Sequence, residues 1–499
     1  MRLRLLLPAL LFCCTGIVCT QPQTPSVTIL HTNDMHASFV PHEAVWVRST
    51  PRPLIGGFRE LSFAVDSIRN ANPAVVLLDA GDVMTGNPIA DLEYEGAQGG
   101  ALFAMMNQIG YDAWSPGNHD LDISQENLVR LTRIARFPTL SANVVRPDGN
   151  YAIRNQPYAI IERGGLRIGI IGVMSQQLSS LVSQNNLTGI KVLAPVGTTQ
   201  HWIDVLREKT DLRIALTHQG VEEDSVLAAN VSGLDVIVGG HSHTRLNTPK
   251  VVNGVIIVQA GANAEQLGVL NIYVDGQRVV RHEGVLLPLW DRHSRVRTAV
   301  STFVDSVQQT IETEYSEVLA MLEGDWVRGR GESDIGNFVA NAQREAAGAE
   351  IGIMNTHGIR KDLAAGPLTK RDLYEVLPFR NMLTTFQLSG SQVRQAVMYC
   401  LTQRSAIQFS GLACRWRQKP DGGAEILSLT VGGMPVDEKR MYTCAASDFV
   451  VGEARRYIGF EIPRVITLPQ TVFQVVENAV REQRVITPSS QRYFTKVQP

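Results

Sequence analysis

The sequence has no surplus of positive charge, since 46 Lys and Arg residues stand against 48 Asp and Glu residues in a chain of 499. Proteins that bind the phosphate backbone of nucleic acid normally carry such a surplus, so a nucleic acid duplex is not an expected partner. Charged residues make up 19% of the chain and hydrophobic residues 44%. This composition excludes a disordered chain and, at this length, predicts two or three folded domains.

Long hydrophobic runs are also missing. The apolar stretch at residues 5–14 is shorter than the roughly 20 apolar residues that a membrane-spanning helix needs. It follows Arg2 and Arg4 and precedes small or polar residues, which is the layout of a secretory signal peptide over residues 1–20. We therefore expect an exported protein, periplasmic or secreted, with no transmembrane segment. Lipidation of Cys19 stays open as an N-terminal tether.

Cysteine is scarce, with six in the whole chain, three of them in the predicted signal peptide. The mature protein would keep Cys400, Cys414 and Cys444. Three cysteines allow one disulfide and one leftover thiol, which excludes a scaffold held together by disulfides. Nothing in their spacing resembles a cysteine-based metal site.

Short β-branched runs, polar turns and helical stretches alternate over residues 26–295. Most of the runs are apolar at consecutive positions, as in strands that are covered on both faces. We predict strands at residues 27–30, 75–78, 168–173, 213–216, 236–238 and 256–258, and helices at residues 60–70, 99–109 and 125–135. The alternation predicts a layered α/β domain.

The pattern changes after residue 295. Residues 296–324 are predicted to form one linker helix, because apolar residues recur every four positions from Phe303 to Tyr315. Residues 325–490 then combine helical and strand patterns, and we predict a second, smaller α/β domain there.

Clusters of His, Asp and Asn occupy five turns, most of them directly after a predicted strand. These clusters are segments 31–36, 79–82, 117–122, 217–220 and 239–243. In an open α/β sheet such turns meet at one edge, where ligands bind. Asp34 and His36 are two residues apart, so both can face a common site only from a turn and not from a continuous strand.

The candidate ligands in these clusters are carboxylates, imidazoles and one amide, with no thiolate. Such ligands suit Zn, Mn, Fe or Co rather than a structural zinc site of the cysteine type. The candidate ligands are Asp34, His36, Asp82, Asn118, His218, His241 and His243. Seven ligands are too many for one ion and suit two, and a carboxylate such as Asp82 can bridge a pair about 3.5–4 Å apart. A pair of ions lowers the pKa of a shared water and clamps a phosphoryl group, so the pattern indicates phosphoester hydrolysis.

These clusters resemble the motifs of the calcineurin-like metallophosphoesterases. The matching residues are Asp34-x-His36, Gly81-Asp82, Gly117-Asn118-His119-Asp120, His218 and Gly240-His241-Ser242-His243. The second half resembles the C-terminal domain of the exported 5′-nucleotidase family, through Asn355-Thr356-His357-Gly358-Ile359-Arg360, Leu377-Pro378-Phe379 and Gln408-Phe409-Ser410-Gly411. The resemblance implies a four-layer α/β metallophosphoesterase sandwich followed by a smaller mixed α/β nucleotidase C-terminal domain.

The resemblance also implies how the ligands divide between two divalent metal ions. One ion is expected on Asp34, His36, Asp82 and His243, and the other on Asp82, Asn118, His218 and His241. His119 matches the catalytic histidine, which stabilises charge on the transferring phosphoryl group or protonates the leaving oxygen. Asp122 matches the carboxylate that orients the ring of this histidine.

For the second domain, the resemblance implies a substrate pocket formed by Asn355, Gly358, Arg360, Phe409 and Phe449. Arg360 would contact phosphate or carboxylate oxygens, and the two phenylalanines would sandwich a nucleobase. The chain departs from the family at residues 453–456, where Glu-Ala-Arg-Arg replaces Gly-Gly-Asp-Gly. This departure leaves the base and phosphate preference open, because the two arginines could favour a more anionic substrate.

The expected function is hydrolysis of nucleotide 5′-phosphomonoesters to nucleoside and phosphate, by attack of a metal-activated water. A 2′,3′-cyclic-nucleotide phosphodiesterase and a nucleotide-sugar hydrolase would use the same dinuclear centre, and a related branch cleaves sulfur-linked groups. A surface binding protein that retains the scaffold is the alternative outside enzymes. The seven ligands together with His119 argue against it, because a binding protein has no need of all eight residues.

Overall fold

The structure, a computed structural model, describes residues 26–44, 46–153, 156–329, 332–403, 406–489 and 492–497. The predicted signal peptide and the lipidation alternative at Cys19 lie outside these residues. Within the described ranges, no helix is both long enough and apolar enough to cross a bilayer. The same ranges contain no disulfide.

Two mixed β-sheets form the centre of the first domain. The first sheet has the strand order Arg278–Pro288, Gln266–Asp275, Val27–Thr32, Val75–Asp79 and Ala113–Trp114. The second has the order Lys250–Val252, Val255–Val258, Val236–Gly240, Leu212–His218, Leu166–Met174 and Tyr158–Arg163. In the first sheet, Val27–Thr32, Val75–Asp79 and Ala113–Trp114 run parallel, and Gln266–Asp275 is antiparallel to them. In the second sheet the four inner strands run parallel. All six strands predicted from the sequence are present, and each extends beyond the predicted run.

Helices cover the outer face of each sheet. Those on the first sheet are Phe58–Ala71, Gly100–Ile109, Gln125–Ile134 and Ala299–Tyr315, and those on the second are Pro195–Leu206 and Val221–Asn230. Between the sheets lies a core of β-branched and leucine side chains from both, such as Ile29, Leu78, Ile170 and Leu216. The domain is therefore a four-layer sandwich, as predicted.

The segment predicted as a linker helix differs from the structure in extent and in packing. The helix begins at Ala299 after a capping box on Thr298 and ends at Tyr315, and residues Val318–Leu322 form a strand instead. Apolar residues of this helix, including Val304 and Ile311, are buried in the core of the first domain. The helical periodicity thus marks the apolar face by which the helix packs on the first domain. The helix is part of that domain and not a separate linker.

The second domain is built on a five-stranded sheet in the order Ile407–Ser410, Ile351–Asn355, Met441–Ser447, Met382–Ser389 and Val465–Thr471. Smaller sheets combine Gly366–Thr369, Val318–Leu322 and Val485–Ile486, and Met434–Pro435, Ala424–Val431, Leu412–Gln418 and Phe494–Lys496. Its helices are Asp334–Ala346, Lys370–Val376, Gly390–Gln403, Asp448–Gly452, Ala454–Ile458 and Val472–Gln483. The mixed α/β character predicted for this domain is confirmed.

Short strand pairs complete the first domain. They are His42–Glu43 with Leu54–Ile55, Glu93–Tyr94 with Ala97–Gln98, and Val144–Val145 with Lys191–Val192. The domain boundaries at residues 295 and 325 stay predictions.

Candidate dinuclear metal centre

The polar turns of both sheets meet at one edge of the sandwich. Asp34 and Asp82 follow strands of the first sheet, His218 ends a strand of the second, and His241 follows another. The candidate ligand atoms form two groups, and within each group these atoms lie within 4.8 Å of one another. One group is Asp34, His36 and His243, and the other is Asp82, His218 and His241. The structure thus brings together six of the seven candidate ligands in two sets that match the predicted division.

The first group is closely packed around the ring nitrogen of His243. Its Nε2 lies 3.0 Å from Nε2 of His36 and 3.4 Å from Oδ1 of Asp34. His36 donates from Nδ1 to the carbonyl oxygen of Thr85 at 3.1 Å, which turns the lone pair of Nε2 into the group. Asp34 is fully buried, whereas the side chain of His243 is 38% exposed, so the group opens to solvent on the His243 side.

Asn118, the seventh candidate ligand, joins the second group through its amide oxygen. This oxygen lies 3.2 Å from Nε2 of His218 and 2.9 Å from Nδ1 of His241. His218 donates from Nδ1 to the carbonyl oxygen of Ala80 at 2.7 Å, which leaves Nε2 as the ligand atom.

Asp82 lies between the two groups. Its Oδ2 is 3.2 Å from Nε2 of His218 and 4.0 Å from Nε2 of His36. Its Oδ1 accepts a hydrogen bond of 2.7 Å from the backbone amide of His119. A carboxylate in this place can contact an ion in either group, which is the property of a bridging ligand.

The charges at this edge favour a bound cation. Burial alone would raise the pKa of Asp34, but the hydrogen bond and charge of His243 lower it to about 2. Burial likewise opposes ionisation of Asp82, and His218 and His119 hold its pKa well below the usual range. Burial would lower the pKa of His218, but Asp82 raises it to about 10. Two buried carboxylates are thus held as anions by positive charge on the neighbouring imidazoles, and a bound cation would supply that charge once Nε2 of His218 is deprotonated to act as a ligand.

The backbone of the ligands is strained in a way that a functional site explains. Five of the seven candidate ligands have positive φ: Asp34, His36, Asp82, His241 and His243. Non-glycine residues rarely adopt this conformation, and they retain it where the surrounding structure and the function require it. The turn conformation at Asp34 and His36 directs both side chains into one group, as their spacing predicted. Donor chemistry, geometry and charge together fit two divalent ions.

His119 and Asp122 form a pair beside the second group. Nδ1 of His119 lies 2.8 Å from Oδ2 of Asp122, which also accepts a hydrogen bond from the hydroxyl of Thr85 at 2.8 Å. Burial alone would lower the pKa of His119, but Asp122 and Asp82 raise it. The pair is therefore arranged to carry a proton on the imidazole, whose Nε2 stays available to a substrate.

Asp120 holds the loops that carry the ligands, a role that the sequence did not reveal. One of its oxygens accepts from the amides of Asp82 and Gly117, and the other accepts from the amides of Val83 and Met84. Its place inside the Gly-Asn-His-Asp segment was the available signal. Gly117 is also required there, since a Cβ would lie 2.2 Å from Oδ1 of Asp82.

The guanidinium of Arg360, in the second domain, lies near carboxylates of the first domain. Burial lowers the pKa of its guanidinium, and the nearby carboxylates of Asp82 and Asp122 oppose that shift. Its Cζ lies 5.7 Å from the centre of the Phe379 ring, and that ring stacks on His119. Arg360, which is predicted to contact phosphate, thus faces the edge where the candidate metal ligands meet.

Two other predicted substrate residues lie next to each other around Tyr457. Nδ2 of Asn355 donates to the hydroxyl of Tyr457 at 3.5 Å, and the ring of Phe449 meets the Tyr457 ring edge-on at 6.3 Å. Gly358 packs against Asn355, because a Cβ there would lie 2.7 Å from Oδ1 of that side chain.

Phe409 does not lie at this pocket, contrary to the prediction from the resemblance. Its side chain is 2% exposed in the core of the second domain, and its ring lies 5.6 Å from that of Phe494. It sits in the strand Ile407–Ser410, which is buried at every position. The ring therefore stabilises the core, and Phe449 is the partly exposed aromatic of the predicted pair.

Comparison with known proteins finds two family matches in the chain. Residues 27–245 match the calcineurin-like phosphoesterase family, and residues 317–461 match the C-terminal domain of 5′-nucleotidase. Protein UshA of Yersinia enterocolitica is 26% identical over 90% of this chain and 88% of its own length. The 5′-nucleotidase of Vibrio parahaemolyticus is 28% identical over 79% of this chain and 78% of its own.

A solved structure agrees in fold over nearly the whole chain. The crystal structure of a 5′-nucleotidase precursor from Thermus thermophilus has a TM-score of 0.81 and 25% identity, and the match covers 95% of this chain and 99% of that one. Fold, site and matches define a calcineurin-like phosphoesterase joined to a 5′-nucleotidase C-terminal domain. Residues 27–245 thus form a calcineurin-like phosphoesterase domain, residues 317–461 form a 5′-nucleotidase C-terminal domain, and the chain is a metal-dependent hydrolase of nucleotide phosphoesters.

Proposed function

We propose that the protein is an exported enzyme that hydrolyses nucleoside 5′-monophosphates to nucleoside and phosphate. The observation that carries the proposal is the position of Asp82, within 4.0 Å of His36 and 3.2 Å of His218. A buried carboxylate between two histidine-rich groups suits the binding of two ions and a phosphoryl group. Its charge also acts on Arg360 of the second domain, where the rest of the substrate would bind.

Two divalent ions are assigned to the two groups. Asp34, His36, Asp82 and His243 would hold one, and Asp82, Asn118, His218 and His241 would hold the other. When bound, the ions supply Lewis-acid stabilisation of the phosphoryl oxygens and activate the attacking water. The ligand types suit Zn, Mn, Fe or Co and do not choose among them.

His119 assists departure of the leaving group. The hydrogen bond of its Nδ1 to Asp122 holds the ring at that nitrogen and leaves Nε2 for the substrate. From Nε2 a protonated imidazole can stabilise charge on the phosphoryl oxygens or donate its proton to the ribose 5′-oxygen. An alkoxide is a poor leaving group, so a general acid of this kind typically accelerates its departure about 10²- to 10⁴-fold.

The second domain orients the nucleotide. Arg360 presents a planar guanidinium that can make two parallel hydrogen bonds to phosphate oxygens. Asn355 and Gly358 lie on a short helical turn that ends just before Arg360, and Phe449 offers a partly exposed ring for stacking of the base. A single stacking ring tolerates different bases, so we expect weak base selectivity.

Export follows from the first twenty residues of the sequence, where Arg2 and Arg4 precede an apolar stretch. We propose a periplasmic or secreted location on this basis. Expression of the full chain with a C-terminal tag tests it. The mature form in the exported fraction supports the proposal, and retention of the full-length chain in the cytoplasm rejects it.

Activity is tested with mature protein supplied with Mn or Zn and a panel of phosphoesters. The panel contains AMP, ATP, UDP-glucose, 2′,3′-cyclic AMP and p-nitrophenyl phosphate, with His119→Ala as the control. The proposal predicts a preference for AMP that is lost in the control and with chelator. Activity on p-nitrophenyl phosphate alone would reject the nucleotide substrate while keeping the metal centre. Preference for the cyclic nucleotide or the nucleotide sugar would replace the monoesterase with one of the alternatives.

A further inference from the structure

The ring of Phe379 packs against both His119 and Arg360. Its centre is 5.4 Å from that of the His119 ring, with an angle of 29° between the ring planes. The guanidinium carbon of Arg360 lies 5.7 Å from the same ring. Phe379 thus contacts a group from each domain, although neither the motif match nor the ligand assignment gave it a role.

The segment that carries Phe379 is anchored on the first domain at both sides of the ring. Arg380 donates to Oδ1 of Asp91 at 3.1 and 2.7 Å, and Asn87 donates to Glu375 at 3.1 Å. These polar contacts join the two domains next to the candidate site. These contacts on both sides therefore hold the Phe379 ring in its position over His119.

His119 needs this second contact for a defined orientation. The hydrogen bond to Asp122 holds the ring at Nδ1 only, and the ring can still tilt about that bond. His36 meets the ring edge-on at 5.3 Å, and Phe379 stacks on it. An aromatic ring attracts a cation above its face, so the side chain that stacks on His119 is also favourable for the guanidinium of Arg360.

We propose that Phe379 is a positioning residue for the hydrolysis, which fixes the tilt of His119 and holds Arg360 beside it so that both act on one phosphoryl group. The inference rests on the proposed function and extends it to a residue that contacts neither the candidate ions nor their ligands in the described contacts. Small misplacements of a catalytic group can cost about 10²-fold in rate. The cost should fall on the chemical step and less on binding.

The test compares Phe379→Leu with Phe379→Tyr, using AMP and p-nitrophenyl phosphate as substrates. The nitrophenolate leaves readily without a proton, whereas the ribose alkoxide does not. Phe379→Leu should lower kcat for AMP about 10- to 100-fold with a change in KM below about threefold, and the loss for p-nitrophenyl phosphate should be at least about fivefold smaller. Phe379→Tyr keeps an aromatic face and should retain kcat for AMP within about threefold.

Arg380→Gln tests the anchor of the segment, because it removes the contact with Asp91 but keeps the Phe379 side chain. It should show the pattern of Phe379→Leu to a smaller extent, with a larger loss for AMP than for p-nitrophenyl phosphate, and metal content should equal that of the wild type in all three variants. An unchanged kcat for AMP in Phe379→Leu would overturn the inference. So would equal losses for both substrates in Phe379→Leu and Phe379→Tyr, which indicate a general structural defect. A wild-type protein that hydrolyses neither ester would reject the proposed function itself, and the inference with it.

Discussion

The carboxylate of Asp120 accepts a hydrogen bond of 2.9 Å from the backbone amide of Asp82. The same carboxylate accepts from the amide of Gly117 at 2.7 Å, and its other oxygen accepts from two further amides of the Asp82 loop at 3.0 Å each. One side chain therefore sets the distance between the loop of the proposed bridging ligand and the loop that leads to Asn118.

Asp120→Asn should disturb the metal centre without removing any candidate ligand. The amide nitrogen of asparagine cannot accept, so two of the four buried backbone amides lose their partner, at a cost of about 2–4 kcal/mol in the free energy of unfolding. We expect a lower unfolding midpoint and less bound metal, measured by elemental analysis after dialysis. Wild-type metal content at an unchanged midpoint would contradict this account of Asp120.

Asp122→Asn, two residues further on, should lower activity without lowering metal content. Asp122 contacts His119 and Thr85 and is not a proposed ligand, so metal content should stay at the wild-type level. Loss of the negative charge removes the support for a protonated His119, and kcat for AMP should fall about 10- to 100-fold. If Asp122→Asn loses metal instead, the residue belongs to the metal site and not to the acid pair.

Gly117→Ala should abolish activity through a single methyl group. A Cβ at this position would lie 2.2 Å from Oδ1 of Asp82 and 2.7 Å from Cε1 of His218, so both proposed ligands would have to move. Gly197→Ala is the control, since a Cβ there meets nothing within 4 Å in the helix Pro195–Leu206. We expect Gly197→Ala to keep full activity and to raise the free energy of unfolding by about 0.5–1 kcal/mol. Substantial activity in Gly117→Ala would contradict the packing described for this site.

The stability of the protein should depend on pH through Asp224. Burial raises the pKa of this carboxyl to about 7, against hydrogen bonds from Thr217 and Gln219 that lower it. Because the folded-state pKa lies above the unfolded value, there is a pH range between the two values. In that range the carboxyl is protonated in the folded protein and ionised in the unfolded chain. The contribution of the protonated Asp224 carboxyl to the free energy of unfolding is complete below about pH 4 and is lost as the pH rises through about 7.

Asp224→Asn removes that titration. Between pH 5 and pH 8 the wild type should lose on the order of 2 kcal/mol more stability than the variant. Urea unfolding of both proteins at the two pH values, with the same metal content, measures the difference. Equal losses in the two proteins would show that Asp224 does not titrate in this range.

The sequence predicted the first domain well because its signals are local. Apolar runs such as 236–238 sit in strands that are buried on both faces, and the polar residues that directly follow them, such as His241, lie at the common edge. The spacing of Asp34 and His36 was informative for the same reason, because only a turn can direct both side chains to one place. Their roles as ligands stay predictions until metal is measured.

The parts that the sequence did not predict depend on contacts between distant segments. Phe379 meets His119 across 260 positions in the chain, and no periodicity near either residue signals that contact. Phe409 was expected at the pocket, but the strand that holds it is enclosed by the neighbouring sheet and by Phe494. The helix that ends at Tyr315 was predicted too long because the strand Val318–Leu322 pairs with residues about 50 and 165 positions away. Tertiary contacts decide such cases, and local pattern does not.

The central claim is that two ions act together across Asp82, and a metal titration tests it most directly. Mature protein is stripped with chelator, then supplied with zero to four equivalents of Mn or Zn per chain, and phosphate release from AMP is measured at each step. The account predicts that activity rises to a plateau at two bound ions per chain, and that Asp82→Asn has little activity at any metal concentration. A plateau at one ion, or full activity in the stripped protein, would contradict it.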